Sequence, residues 1–177
     1  MAIPTLISTA TPSGASTTSF TSGIDSTYDE YMFVLIDIDP GTDNVPFLFQ
    51  GNVAGQSGYN ETITSACFQN RHNEADAVSF GYQEDYDQAQ ETDFQELALS
   101  LGTDADQSMC GVLHLFSPSN TTFVTHFWGH TIINEAESGQ LDRFTNGYFN
   151  VTGAIDEIQF KTSSGTHSGT IQLYGLA

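Results

Sequence analysis

Basic side chains are scarce in this sequence. Its 177 residues include three Lys and Arg together against 22 Asp and Glu, and the formal net charge is −19 at pH 7. A nucleic-acid-binding or anionic-membrane-binding surface needs clustered Lys and Arg to pair with phosphates. The sequence therefore predicts neither a nucleic-acid partner nor a membrane partner. Self-repulsion at this charge costs stability, and salt screens it, which favours a saline medium.

Cysteine and long apolar runs are also scarce. Cys67 and Cys110 belong to no CxxC pattern, so we expect two buried free thiols rather than a zinc site. No stretch approaches the roughly 20 apolar residues of a membrane-spanning helix. The opening Met1-Ala-Ile-Pro4 has neither the basic region nor the apolar region of a signal peptide, so we expect synthesis in a cytoplasm.

Sequence motifs that carry catalysis are missing as well. There is no Gly-x-Ser-x-Gly elbow, no Gly-rich phosphate loop before a helix and no Cys-His signature. Carboxylates abound, but any two of the 22 can be paired on paper, so a glycosidase-type pair carries no information. The sequence predicts no enzymatic activity and no cofactor.

The chain instead contains many short apolar segments separated by turn residues. The most apolar is the unbroken run Tyr31–Ile36, which Asp39-Pro40-Gly41 follows, and this pattern is typical of a strand buried on both faces. Eight to ten short strands with at most one short helix predict an all-β antiparallel β-sandwich, jelly-roll-like. A barrel with the same number of strands is the alternative. The segments with the clearest strand pattern are 31–36, 45–50, 62–69, 77–82, 110–116, 122–133, 154–161 and 170–175.

Length and patterning indicate a single domain. Residues 1–22 are rich in Ser and Thr and fit a polar N-terminal arm or edge strand that belongs to the same domain as residues 23–177. Residues 83–95 and 134–142 are predicted to be acidic loops. Residues 94–101 fit a short helix and a strand equally well.

One group of aspartates offers calcium ligands. Asp37, Asp39 and Asp43 could hold Ca²⁺ through their oxygens. Their spacing does not match the twelve-residue calcium loop, and Asp is also an ordinary residue of Pro-Gly turns. We therefore predict a turn without a metal.

A histidine cluster with one tryptophan is the sharpest local feature. At strand period, His126, Trp128 and His130 face one way and Phe127 the other. His114, on the expected partner strand, would complete a transition-metal site. Histidine is also common on outward strand faces, so we predict no metal here either.

Aromatic residues near this cluster and in the first acidic loop are candidates for an interface. Trp128 suits either a sugar-stacking platform or a subunit interface, and we favour the interface. Phe127, Tyr86 and Phe94 are the further interface candidates.

Five segments resemble a group of small virion proteins of tailed phages, especially marine and cyanobacterial ones. The likeness covers nearly the whole chain and rests on β-structure motifs, not catalytic ones. The segments are SFTSGIDSTYDEY (19–31), DPGTDN (39–44), HLFSPSNTT (114–122), IQFK (158–161) and GTIQLYG (169–175).

The resemblance implies a β-sandwich subunit of a phage particle. Within the particle we expect a capsid decoration (cement) protein on the outer surface of the capsid, bound to the major capsid protein as a homo-oligomer, with a trimer favoured. The main alternative is a tail fibre or receptor-binding accessory protein that contacts host glycan. A carbohydrate-binding, lectin-like module is the second alternative.

Overall fold

The computed structural model describes residues 3–137 and 139–177 and confirms the all-β antiparallel class. Within these residues there are thirteen strands and no helix, so the undecided segment 94–101 is a strand. In chain order the strands are β1 (Thr5–Ala10), β2 (Thr18–Phe20), β3 (Glu30–Pro40), β4 (Val45–Val53), β5 (Ile63–Asn73), β6 (Val78–Tyr82), β7 (Ala89–Glu91), β8 (Gln95–Leu101), β9 (Met109–Phe116), β10 (His126–Glu135), β11 (Gly139–Phe149), β12 (Ile155–Thr162) and β13 (His167–Leu176).

Eight of these strands form a jelly roll. In chain order they are β1, β2, β3, β4, β8, β9, β12 and β13. The first of them pairs with the eighth, the second with the seventh, the third with the sixth and the fourth with the fifth. This is the pairing of one long hairpin that has been rolled up, and it yields the two sheets β1-β13-β3-β9 and β2-β12-β4-β8.

The other five strands widen one sheet. β5, β6 and β7 are inserted between β4 and β8, and β10 and β11 are inserted between β9 and β12. β10 pairs with β9 and β11, β11 pairs with β5, and β5 pairs with β6 and β7. We call β1-β13-β3-β9-β10-β11-β5-β6/β7 the larger sheet and β2-β12-β4-β8 the smaller sheet. One residue pair, Glu135–Leu101, links them.

Phenylalanine fills the space between the two sheets. Phe33 of the larger sheet lies 5.1 Å from Phe20 and 5.2 Å from Phe160, both of the smaller sheet, measured between ring centroids. Under the inserted strands, Phe127 contacts Phe49 at 5.1 Å. These edge-to-face pairs add to the apolar burial that holds the sandwich together.

The expectation that the central strand β3 is buried on both faces is wrong. Tyr31, Phe33 and Leu35 are buried in the core, but Met32 and Val34 are only half-buried and Ile36 is exposed. The physical reason is the topology. The inserted strands extend the larger sheet sideways, so no layer built from residues 3–137 and 139–177 covers the outward side of β3.

Three other expectations need correction. The predicted acidic loop at 83–95 contains the short strand β7, which pairs with β5, and β8 starts at its last residue, Gln95. The predicted acidic loop at 134–142 is a tight hairpin, because β10 runs to Glu135 and β11 starts at Gly139; Ser138, inside that segment, lies outside the described residues. Glu135 stays in the strand and is buried because Arg71 pairs with it. Only Cys67 of the two free thiols is buried, while Cys110 is exposed.

The N-terminal segment supplies an edge strand to each sheet. Of residues 1–22, Met1 and Ala2 lie outside the described residues. β1 forms the outer edge of the larger sheet and β2 that of the smaller sheet. None of the residues described forms a helix long and apolar enough to cross a membrane.

Candidate functional site

The outward side of the larger sheet carries most of the large hydrophobic side chains that the described residues expose. Cross-strand partners share a face of a sheet, so the register defines which side chains point outward together. We call the outward residues of six adjacent strands the aromatic face. It consists of Glu30, Met32, Val34, Ile36, Cys110, Val112, His114, Phe116, His126, Trp128, His130, Ile132, Asn134, Gln140, Asp142, Phe144, Asn146, Tyr148, Thr64, Ala66, Phe68, Asn70, His72, Val78, Phe80 and Tyr82.

Rings on the aromatic face stack against one another along the rows of the sheet. Phe144 lies between His130, with ring centroids 4.1 Å apart, and Phe68, at 4.9 Å. Trp128 stacks on His114 at 4.4 Å with only 7° between the ring planes. The stacked rings therefore turn flat faces toward one another, and Phe144 has a ring against each of its two faces.

Apolar side chains protrude from this face. Phe80 is 78% exposed, Ile132 51% and Trp128 37%. Next to Trp128's row lies a depression of about 380 Å³, whose walls include His126 and Tyr148. Its floor includes the backbone at Gly147, and Ala66 on the neighbouring strand contributes only a short outward side chain.

Charge is almost missing from the aromatic face. Its described residues include no Lys or Arg and only two carboxylates, Glu30 and Asp142. Each carboxylate hydrogen-bonds a histidine of the same face, Glu30 with His114 and Asp142 with His130. Three further carboxylates contact the margin of the face: Asp37 bonds Cys110, Asp76 bonds His72 and Asp87 bonds Tyr82. In a chain with 22 acidic residues, the middle of the face is therefore poor in charge.

The structure places the predicted histidine cluster on this face. His126, Trp128 and His130 point outward together, as strand period predicted, and His114 lies on the partner strand β9 beside Trp128. Among residues 3–137 and 139–177, no group of three or more His, Cys, Asp or Glu side chains is arranged to hold a metal ion.

The three other predicted interface residues do not lie on the aromatic face. The prediction that Phe127 is an interface residue is wrong, because Phe127 is 2% exposed and packs in the core. Successive side chains of a strand point to opposite faces, so an outward Trp128 requires an inward Phe127. Tyr86 and Phe94 are half-buried in the first acidic loop. The guanidinium of Arg143 lies 4.7 Å from the Tyr86 ring centroid, and Nζ of Lys161 lies 3.9 Å from that of Phe94.

The aspartates considered for calcium lie at the end of β3. Asp37 and Asp39 border a depression with Asp104 and Asp106 from the segment before β9. Asp43 instead accepts a hydrogen bond from the backbone N–H of Thr103, at 3.3 Å. The three residues therefore do not converge on one point, and Asp43 is used to hold two turns together.

All three basic side chains contact acidic or aromatic residues of the chain itself. Arg71 pairs with Glu135 and, at 3.2 Å, with Glu137. Arg143 is fully buried; its Nε donates to Sγ of Cys67 at 3.1 Å, and one terminal nitrogen lies 3.6 Å from a carboxylate oxygen of Glu96. Burial raises the pKa of Glu96, and the nearby Arg143 guanidinium partly offsets that rise.

The smaller sheet has the opposite kind of outward side. Gln50 of β4 is fully buried there and donates to the backbone carbonyls of Glu61 and Asp93, each at 3.0 Å. Gln50 therefore holds the segment before β5 and the segment between β7 and β8 down over the sheet. Gln95 of β8 is the cross-strand partner of the core residue Phe49, so it lies on the inward side, where it donates to the carbonyl of Tyr86 at 3.0 Å.

Sequence reasoning found Trp128 and the histidines but missed most of the aromatic face. Phe144 stacks on His130 and Phe68 stacks on Phe144, while Phe80 and Ile132 protrude from the face. Alternation with polar neighbours was the available signal in each strand. It could not say which strands lie side by side, because the paired residues of β5 and β11 are 66 to 86 positions apart in the sequence.

The fold and this face define a jelly-roll protein with one broad, nearly neutral aromatic side and loops rich in carboxylates elsewhere. Comparison with known proteins adds no relative: no protein-family model matches the chain, and neither a curated protein nor a solved structure is significantly similar to it.

Proposed function

We propose that this protein is a structural subunit of a phage particle, a capsid decoration protein that binds the major capsid protein on the outside of the shell as an oligomer. The observation that carries the proposal is the aromatic face. Exposed apolar surface of this extent marks a protein-contact site, because it burdens a protein that stays alone in water.

The distribution of charge over the rest of the surface also supports a structural role. The three basic side chains contact residues of their own chain, so the outer surface away from the aromatic face is dominated by carboxylates. Such a surface repels other acidic macromolecules and keeps densely arrayed subunits from sticking to their surroundings. The resemblance to phage virion proteins agrees with this design.

A specific feature favours protein contact over glycan binding. A sugar ring stacks on the open flat face of an aromatic ring. Phe144 is covered on both ring faces, by His130 and Phe68, and one face of Trp128 is covered by His114. Ring edges of this kind suit close packing against another protein, so the tail-fibre and lectin alternatives are less well supported.

Localisation in the particle tests the proposal. Heads and tails of purified particles are separated, the protein is quantified in each by mass spectrometry, and its density is located by electron cryomicroscopy. We expect hundreds of copies on the outside of the head. A few to a few dozen copies confined to the tail would favour the tail accessory alternative. Absence from the particle, together with binding on a glycan array, would favour the lectin.

A further inference from the structure

The composition of the aromatic face limits what binds to it. A partner held by charge would need unpaired ions on this side of the protein. The described residues of the face contain no Lys or Arg, and both carboxylates, Glu30 and Asp142, already bond His114 and His130. The surface that covers the middle of the face must therefore be apolar and poor in carboxylates, with Asp37, Asp76 and Asp87 left at the rim.

We propose that two copies of this chain pair through their aromatic faces and form a two-fold symmetric dimer. The same face on a second copy has the required composition. Any other part of the second copy would bring carboxylates of a −19 chain onto a face that has no cation to pair with them. Contact of one face with itself is isologous and closes after two subunits.

The size of the face matches what a stable dimer needs. Six strands spaced about 4.8 Å apart are about 29 Å wide, and seven residues at about 3.4 Å each are about 24 Å long. The face thus measures about 700 Å², close to the roughly 800 Å² that each partner contributes to a standard-size interface. A dimer of this kind replaces the trimer that the resemblance implies.

The sequence of β3 gives independent support. The unbroken apolar run Tyr31–Ile36 is the pattern of a strand with two covered sides, yet in one chain Met32, Val34 and Ile36 lack a cover. A second copy stacked face to face, at the usual distance of about 10 Å between packed sheets, supplies that cover. Protruding side chains of one copy also find room in the depression above Gly147 of the other.

The proposal specifies the oligomer named in the proposed function and does not depend on the phage particle, so it is tested on the purified full chain. Size-exclusion chromatography with light scattering, in 0.15 M NaCl and over a range of concentrations, should give twice the chain mass of 19.2 kDa. Ile132→Asp places a carboxylate in the middle of the face and should weaken dimerisation by at least about 30-fold, as expected for a central interface residue.

Phe123→Asp is the matched control. Phe123 is 69% exposed but lies in the connection between β9 and β10, outside the aromatic face, and this variant should dimerise like the wild type. If Ile132→Asp does not fold, alkylation of the wild type serves instead: the exposed thiol Cys110, on the face, should react more slowly as protein concentration rises, and Cys67 is buried throughout.

Four results would overturn the proposal: a monomer at all concentrations, including one that binds an oligosaccharide through this face; a trimer; a dimer that a folded Ile132→Asp leaves intact; or Cys110 alkylation that does not depend on concentration.

Discussion

The two sheets of the sandwich treat their outward sides in opposite ways. On the smaller sheet, the buried amide of Gln50 holds two polar segments over the strands by hydrogen bonds to the backbone carbonyls of Glu61 and Asp93. On the larger sheet, the outward rings of Phe144 and Trp128 stack on neighbours of the same face, and Trp128 is 37% exposed. Buried amides therefore mark the side that this chain covers itself, and exposed apolar side chains mark the side that the proposed dimer would cover.

The difference also explains where the charge lies. Polar loops cover a sheet only if every buried backbone group finds a hydrogen bond, and amide side chains supply those bonds without adding charge. The carboxylates of the covering loops then face water. The aromatic face carries almost no charge because burying a carboxylate there would need a counterion that the chain does not provide.

The largest expected effect concerns the covered side. Gln50→Leu should lower the free energy of unfolding by about 3 kcal/mol, because the buried carbonyl of Glu61 loses its donor and the buried N–H of Gly51 loses its acceptor, Oε1 of Gln50. Urea unfolding measures the change. Hydrogen exchange should also quicken in residues 88–95.

Gln159→Leu, on the neighbouring strand β12, is the matched control. Its amide bonds an exposed hydroxyl, Ser19, so the variant should stay within about 0.5 kcal/mol of the wild type. Equal losses in the two variants would mean that the buried amide does not hold the loops.

The second prediction concerns the rings of the aromatic face. Phe144→Ala removes stacking with His130 and Phe68 and should cost about 2 kcal/mol of unfolding free energy, roughly half the value for a fully buried phenylalanine. Phe80→Ala, at an exposed ring of the same face, should cost less than about 0.5 kcal/mol. Thermal unfolding at low protein concentration compares them. A loss from Phe80→Ala as large as that from Phe144→Ala would mean that stacking does not order the face.

The third prediction concerns pH and the end of the sandwich. His167 is fully buried against Phe47 and hydrogen-bonds Thr18, and burial lowers its pKa. The unfolded chain then binds a proton where the folded chain does not, so stability falls as pH drops below about 6.5. His167→Gln should flatten the stability profile between pH 7 and pH 5.

His126→Gln, at an exposed histidine of the aromatic face, controls for the general effect of acid and should keep the wild-type profile. Chemical unfolding at each pH gives the slopes. If His167→Gln keeps the full slope, carboxylates and not this histidine cause the loss.

The smallest expected effect concerns the exposed carboxylates of the segment between β6 and β8. Asp85→Asn combined with Glu91→Gln relieves repulsion among exposed carboxylates and should raise stability by roughly 0.3 kcal/mol in 50 mM NaCl. In 1 M NaCl the gain should vanish, because exposed charges are screened over about 3 Å. Thermal unfolding at the two salt concentrations measures it. A gain that persists in 1 M NaCl would point to packing instead of charge.

Local patterning was enough to predict the fold class and the direction of some side chains. Strand period placed His126, Trp128 and His130 on one side, and the number of short strands indicated a sandwich with jelly-roll character. The same period places Phe127 in the core. The interface prediction for Phe127 failed because aromatic character was weighed above side-chain direction.

Pairing over long sequence separation could not be predicted in this way. The aromatic face exists because β5 and β11 meet beside β10, and nothing local in those strands specifies that meeting. The hairpin after Glu135 was also missed, since its carboxylate reads as a loop residue until Arg71 is known to pair with it. Burial of β3 on one side only depends on the same non-local arrangement.

The dependence of dimerisation on salt tests the central claim most directly. If two −19 chains meet through neutral aromatic faces, salt screens the repulsion between their remaining surfaces and strengthens the apolar contact. Sedimentation equilibrium of the wild-type chain should therefore give a dissociation constant that falls steadily from 0.05 M to 1 M NaCl. A dissociation constant that rises with salt, or no self-association at either salt concentration, would contradict the account.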